Sequence, residues 1–177
     1  MEYVILGMLM IKPLTIYEMN SAFKSSISLF YSASYGSIQS AVKKLVKNNL
    51  VEFEEKVEKG RNKKVYYVLK EGKEAFFKWM FEEIPLNKLE VTALSKLHFL
   101  GLVIQDEGKK QILKNIISQI ELGEKELLNL NKELEQIEVD QAYSEILKYQ
   151  LKTVDYGIGS HSFSKQWFKE ILEELEK

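Results

Sequence analysis

The chain has 177 residues, 45% of them hydrophobic and 29% charged, with a net charge of −1 and no cysteine. That apolar content can build a core for one domain or two small ones, while the missing thiols exclude disulfides and thiolate metal sites. No apolar run approaches the roughly 20 residues of a membrane span, and the apolar opening MEYVILGMLMI lacks the basic flank and cleavage site of a signal peptide, which points to a cytoplasmic protein.

Charge is unevenly placed. Residues 1–70 hold 11 Lys+Arg and 6 Asp+Glu, a net of +5, whereas residues 71–177 hold 14 and 20, a net of −6. A polyanion-facing role therefore falls to the N-terminal part.

Residues 2–10 read as a short apolar helix broken by Lys12-Pro13. Thr15 lies three residues before Glu18, the spacing of a capping box, which predicts a helix from about Ile16 to Lys24. Residues 25–33 are serine-rich and irregular. The next helix is predicted from Ser34 or Tyr35 to about Asn48. Ile38, Ala41, Val42 and Leu45 form its core stripe at helical spacing. Its opposite face is Gly36, Ser40, Lys43 and Lys47, flanked by Ser37, Gln39 and Lys44, with no acidic residue in the helix. Asn48-Asn49 suits a left-handed stop.

Val51, Phe53 and Val57 alternate with charged residues, and Val65, Tyr67 and Leu69 alternate again. The pattern predicts a half-buried hairpin with its tip over residues 58–64, where Lys59, Arg61, Lys63 and Lys64 outnumber Glu58. Gly60 permits the turn, and Arg61 is the only arginine in the chain. A helix from Lys70 to about Glu83 follows, carrying Phe76, Phe77, Trp79 and Met80, and Pro85 marks a domain boundary.

The remainder reads as helical. One helix is predicted over 89–104. Leu113, Ile116, Ile120, Gly123, Leu127, Leu130, Leu134 and Ile137 then keep a 3-4 spacing, a heptad seam that needs a partner surface. A last helix spans about Asp140 to Glu174 with the stripe Leu147, Leu151, Val154, Ile158, His161, Phe168, Leu172 and Leu175. Composition leaves open a break at Gly157–Ser160. His98, His161, Trp79 and Trp167 fall at core-like spacings, and two distant histidines without cysteines make no metal site. There is no Ser/His/Asp arrangement, G-x-S-x-G elbow, P-loop or G-x-G-x-x-G, so no enzyme, cofactor or metal is expected.

The fold expected is mainly α within the α+β class: a winged helix-turn-helix with a two-stranded wing over residues 1–84, then a helical dimerisation domain over 85–177. Such a domain places one helix in the major groove and the hairpin tip on the neighbouring backbone of duplex DNA. Tyr35, Ser37, Gln39, Ser40 and Lys43 are the candidates for base edges or nearby phosphates. Lys44 and Lys47 are candidates for the backbone, and Arg61, Lys63 and Lys64 for phosphate or the minor groove. Leu113, Ile116, Ile120, Leu127, Leu130 and Leu134 are the candidate dimer contacts, and a dimer would read a palindromic operator. A winged-helix protein-interaction module without DNA binding is the alternative, disfavoured by the basic bias of helix and wing.

These residues resemble a family. VILGMLMIKPLTIYEMNSAF is similar to the opening of PadR-like transcriptional regulators, whose I-L-G-L-L helix precedes G-P-L-x-G-Y-E. Pro13, Leu14, Tyr17 and Glu18 match, while Lys12 and Ile16 stand for the two glycines. Ser34, Gly36, Ser37, Ile38, Ala41, Lys44 and Leu45 resemble S-x-G-S-I-Y-P-A-L-x-x-L, with Gln39 for Tyr and Ser40 for Pro. Asn49-Leu50-Val51 stands for G-L-V. Gly60, Arg61, Lys64 and Tyr66 fit G-R-x-x-K-x-Y, and Leu69, Lys70 and Gly72 follow. Phe99, Gly101, Gly157 and Trp167 extend the likeness into the C-terminal half. The resemblance implies a repressor of the longer subfamily, a dimer held by C-terminal helices, a last helix continuous through Gly157, and release from DNA by a small-molecule effector.

Overall fold

The computed structural model describes every residue except Ser26, Lys59 and Lys177; the side chains of Leu29, Glu58 and Arg61 also lie outside the described set. Its contacts divide into two compact units, Met1–Glu82 with Glu90–Ile104, and Glu83–Leu89 with Gln105–Lys177. The segment from Glu90 to Ile104 thus joins the N-terminal unit.

In the first unit, α1 (Glu2–Ile11) is buried continuously from Val4 to Leu9 and packs against α3, β2 and α4. This explains why its sequence is apolar all round. Gly7 leaves room for Phe99, whose ring lies 2.9 Å from where a Cβ would stand. After the Lys12-Pro13 break, Leu14 exchanges backbone hydrogen bonds with Tyr66 at 3.1 and 2.9 Å, an isolated bridge that extends the hairpin. The predicted capping box forms: Glu18 N–H donates to Thr15 Oγ1 at 3.2 Å, and Thr15 N–H donates to Glu18 Oε2 at 2.7 Å. These bonds hold the Glu18 carboxyl below its usual pKa. They start α2 (Ile16–Ser25).

The third helix, α3 (Tyr35–Lys47), has Ser34 as N-cap. Ser37 N–H donates to Ser34 Oγ at 3.1 Å, and Ser34 N–H donates to Ser37 Oγ at 2.9 Å. Ile38, Ala41, Val42 and Leu45 are all buried as the stripe required. Asn49, at φ 55°, turns the chain out of the helix.

Strands β1 (Val51–Glu58) and β2 (Arg61–Val68) pair antiparallel with Val51 opposite Val68 and Glu58 opposite Arg61. The register corrects the sequence reading of β2. Odd residues of β1 pair with even residues of β2, so the face carrying Val51 and Phe53 receives Tyr66 and Val68. Tyr66 is buried at 8% exposure, whereas Val65 and Tyr67 point to the other face and Leu69 caps the next helix. Val57 is exposed. Pairing also runs to the turn, so Lys63 and Lys64 are strand residues rather than a loop.

The hairpin leads into α4 (Lys70–Phe81). Leu50 O accepts from Leu69 N–H at 3.0 Å and lies so near Gly72 that a Cβ there would approach it to 2.2 Å. A single helix over 89–104 is not found: α5 ends at His98, and a 3-10 turn spans Leu100–Leu102. Between them Phe99 turns into the core, meeting Phe76 edge-on at 5.9 Å. His98 is exposed rather than core, with Phe30 at 5.9 Å.

In the second unit, α6 (Asp106–Glu135) and α7 (Ser144–Glu174) form an antiparallel hairpin. The last helix is unbroken through Gly157. Each glycine at the seam admits a side chain from the other helix: a Cβ on Gly157 would meet Leu127 at 3.1 Å, and one on Gly123 would meet His161 at 2.9 Å. His161 Nδ1 lies 2.8 Å from Gly157 O. Lys165 pairs with Glu124, and Lys169 with Glu121 at 3.0 Å. No helix among the described residues is long and apolar enough to cross a membrane.

Candidate nucleic-acid interface

The first unit presents α3 with its apolar stripe buried and its opposite face open. Tyr35, Ser37, Gln39, Ser40, Lys43, Lys44 and Lys47 are all exposed. Lys43 and Lys47 have no ion pair among the described residues. Two of the seven side chains are already engaged. The Ser37 hydroxyl belongs to the cap and donates to Ser34 O at 2.8 Å. Lys44 Nζ lies 2.7 Å from Glu2 Oε1, which raises the lysine pKa. The face is therefore not free of acid. Sequence reasoning missed this carboxylate because it arrives from α1, 42 residues away.

The wing splits its cations. Strand alternation sends Lys63 and Lys64 to opposite faces. Lys64 lies over the Phe53 ring at 4.2 Å and pairs with Glu55 at 3.4 Å. Lys63 stands opposite Lys56. Like charges facing each other across a strand pair destabilise the hairpin unless an anion neutralises them. Arg61 opens β2 next to Gly60, which has φ 75°, but its side chain lies outside the described set, as does Lys59.

Beside α1 and α2, a cavity of about 390 Å³ is bounded by Met8, Leu14, Ala22, Ile27, His98 and Phe99. The irregular serine-rich segment forms part of its wall, and nothing in the local pattern announced it.

In the second unit the predicted seam divides. Leu113, Ile116 and Ile120 are 0–2% exposed and belong to the chain's own core. Leu127 packs on Gly157, Leu134 is half-buried and Leu130 is exposed. Another stripe stands open on α7: Ile146, Tyr149, Tyr156, Phe163 and Trp167. With Thr153 and Ser160 between them these residues keep a strict 3-4 spacing, a signal legible in the sequence but masked by its two polar members. Trp167, read as core, is on this open face at 38% exposure.

A cap-and-stripe helix after a shorter helix, followed by a two-stranded hairpin bridged to the preceding segment, defines a winged helix-turn-helix domain. Residues 5–78 match the Transcriptional regulator PadR-like family, and over that segment the chain belongs to it. A relative, the negative transcriptional regulator PadR of Bacillus subtilis (strain 168), is 26% identical over 110 residues, which span 61% of this chain and 60% of the relative's length. The crystal structure of Bacillus subtilis PadR in complex with operator DNA is similar at 18% identity and a TM-score of 0.47, covering 98% of each chain. That of a PadR-like transcriptional regulator from Bacillus cereus is similar at 28% identity and a TM-score of 0.44, over 98% of this chain and 94% of that one.

Proposed function

We propose that the protein is a cytoplasmic, homodimeric, DNA-binding transcriptional repressor released by a small-molecule effector, and not an enzyme. The observation that carries the reading is the open face of α3, where Lys43 and Lys47 stand exposed and unpaired on the side opposite the buried stripe. In a winged helix-turn-helix that side enters the major groove. Tyr35, Gln39, Ser40 and Lys43 approach base edges or nearby phosphates, with Ser37 capping the helix that carries them. Lys47 and Lys44 contact the backbone, and Arg61, Lys63 and Lys64 contact it from the wing. The family match over residues 5–78 and the description of the Bacillus subtilis relative as a negative regulator support this function.

The division of labour follows residues 1–84 for DNA and 85–177 for self-association. The open α7 stripe supports dimerisation through Tyr149, Tyr156 and Phe163, with exposed Leu130 on α6 adding to it. Large aromatic side chains on an unpaired helix face favour burial against a second such face. Dimerisation pairs two α3 helices on a palindromic operator. The cavity beside α2 supports the effector role. Its apolar wall and the exposed His98 suit a small aromatic or lipophilic molecule.

The test is fluorescence anisotropy with labelled duplex taken from upstream of the protein's own gene, across salt concentrations. Lys43→Glu combined with Lys47→Glu is expected to abolish specific binding, and the salt slope of residual binding falls by about two units, one per lost phosphate contact. Full affinity with unchanged circular dichroism would refute the assignment of this face.

A further inference from the structure

Lys43, Lys44 and Lys47 look equivalent along α3, yet only Lys44 is held by an acid among the described residues. Its ammonium meets Glu2 Oε1 at 2.7 Å, with side-chain exposures of 62% and 32%. Glu2 sits in the first turn of α1, on an element fixed by its neighbours: Val4 is buried, and the Tyr3 ring stacks on Trp79 at 5.2 Å with the planes 6° apart. The carboxylate is thus carried to the edge of the α3 face by a rigid helix rather than by a mobile loop. The two partners are far apart in the chain, so neither local helix geometry nor sequence proximity brings them together.

We propose that Glu2 competes with DNA phosphate for Lys44 and so sets the affinity of the α3 face. The inference rests on the DNA-binding reading above. A lysine neutralised by a protein carboxylate condenses no counterions onto a phosphate in its place. The pair therefore contributes nothing to the counterion-release term that dominates backbone affinity. To reach DNA, Lys44 must leave Glu2, and the freed carboxylate then faces the phosphates. Either way the protein forgoes one phosphate contact. Each such contact contributes about 0.9 to the slope of log affinity against log salt, which corresponds to about eightfold in affinity at 0.1 M monovalent salt. Glu2 is a tuning residue acting through Lys44, and it leaves the groove-facing Lys43 and Lys47 untouched.

The experiment is a salt titration of the full chain on the upstream duplex, comparing wild type with Glu2→Gln, which keeps the shape and the amide oxygen but removes the charge. Glu2→Gln is expected to bind about eightfold more tightly at 0.1 M salt, with a slope steeper by about 0.9, the advantage vanishing towards 1 M. In a Lys44→Ala background the same change is expected to alter affinity by less than about twofold, since distant charges are screened. Unchanged or weaker binding by Glu2→Gln overturns the proposal. A full gain that persists in the Lys44→Ala background also overturns it, because Glu2 would then act by simple repulsion. Matching thermal melts confirm that the variants are folded. Absence of salt-dependent binding by the wild type would instead overturn the DNA-binding reading itself, and the two failures are distinguished before any variant is made.

Discussion

Lys96 is 1% exposed, and its ammonium donates to the carbonyl of Glu82 at the end of α4, with the Trp79 ring 5.7 Å away. Burial pushes its pKa down to about 8, against a weaker opposing pull from the Glu82 charge. A fall of that size from the ordinary lysine value corresponds to roughly 3 kcal/mol of penalty on the charged form. The sign follows from proton counts. Below pH 8 folded and unfolded chains both hold the proton, so the full penalty is present. Between pH 8 and 10.5 the unfolded chain holds a proton that the folded chain lacks, and stability rises with pH. Lys96→Met keeps the stem volume and removes the charge. It recovers the roughly 3 kcal/mol but leaves Glu82 O without its donor, which costs about 1, for a net gain of about 2 kcal/mol at pH 7. Urea unfolding at fixed protein concentration, at pH 7 and pH 9.5, reads both effects. The variant is expected to be the more stable at pH 7, with the difference narrowing at pH 9.5. A variant less stable than wild type at pH 7 would refute the reasoning and make the ammonium a net anchor for α4.

Gly72→Ala drives a methyl group to within 2.2 Å of Leu50 O and 2.7 Å of Val68 Cγ2, so backbone must move. A net loss of about 1–3 kcal/mol is expected in thermal or urea unfolding, despite the better helix propensity of alanine, and unchanged stability would show that α4 can shift freely. Tyr156→Glu with Phe163→Glu alters only exposed side chains, so sedimentation is expected to give a folded monomer where the wild type gives a dimer. A dimer that survives both charges places the interface elsewhere. Arg61→Ala is expected to reduce the salt slope by about one unit on specific and nonspecific duplex alike, whereas a loss confined to A·T-rich flanks would point to minor-groove insertion. An unchanged slope and affinity would leave the wing a structural hairpin.

Local chemistry was legible in the chain itself. The Thr15–Glu18 spacing, the Ile38–Leu45 stripe and Asn49 each act over a few residues, where helix periodicity and backbone sterics suffice, and the resemblance of residues 34–72 to PadR-like regulators rests on such short-range features. The strand parity of β2 was not legible, because both faces of that strand carry apolar or aromatic side chains and the turn length alone fixes which face pairs with Val51. Continuity through Gly157 was undecided by composition. Glycine is a poor helix former, and only the Leu127 side chain packed against it supplies the compensation. The seam on α6 was visible as periodicity, but periodicity does not say whether the covering surface belongs to the same chain. Packing against α7 decided that for the glycine-centred part and left the aromatic stripe on the reverse of α7 as the open face. Likewise the α3 helix by itself carries no acid, and only the tertiary fold brings the Glu2 carboxylate to Lys44, because an ion pair forms between neighbours in space whatever their distance along the chain.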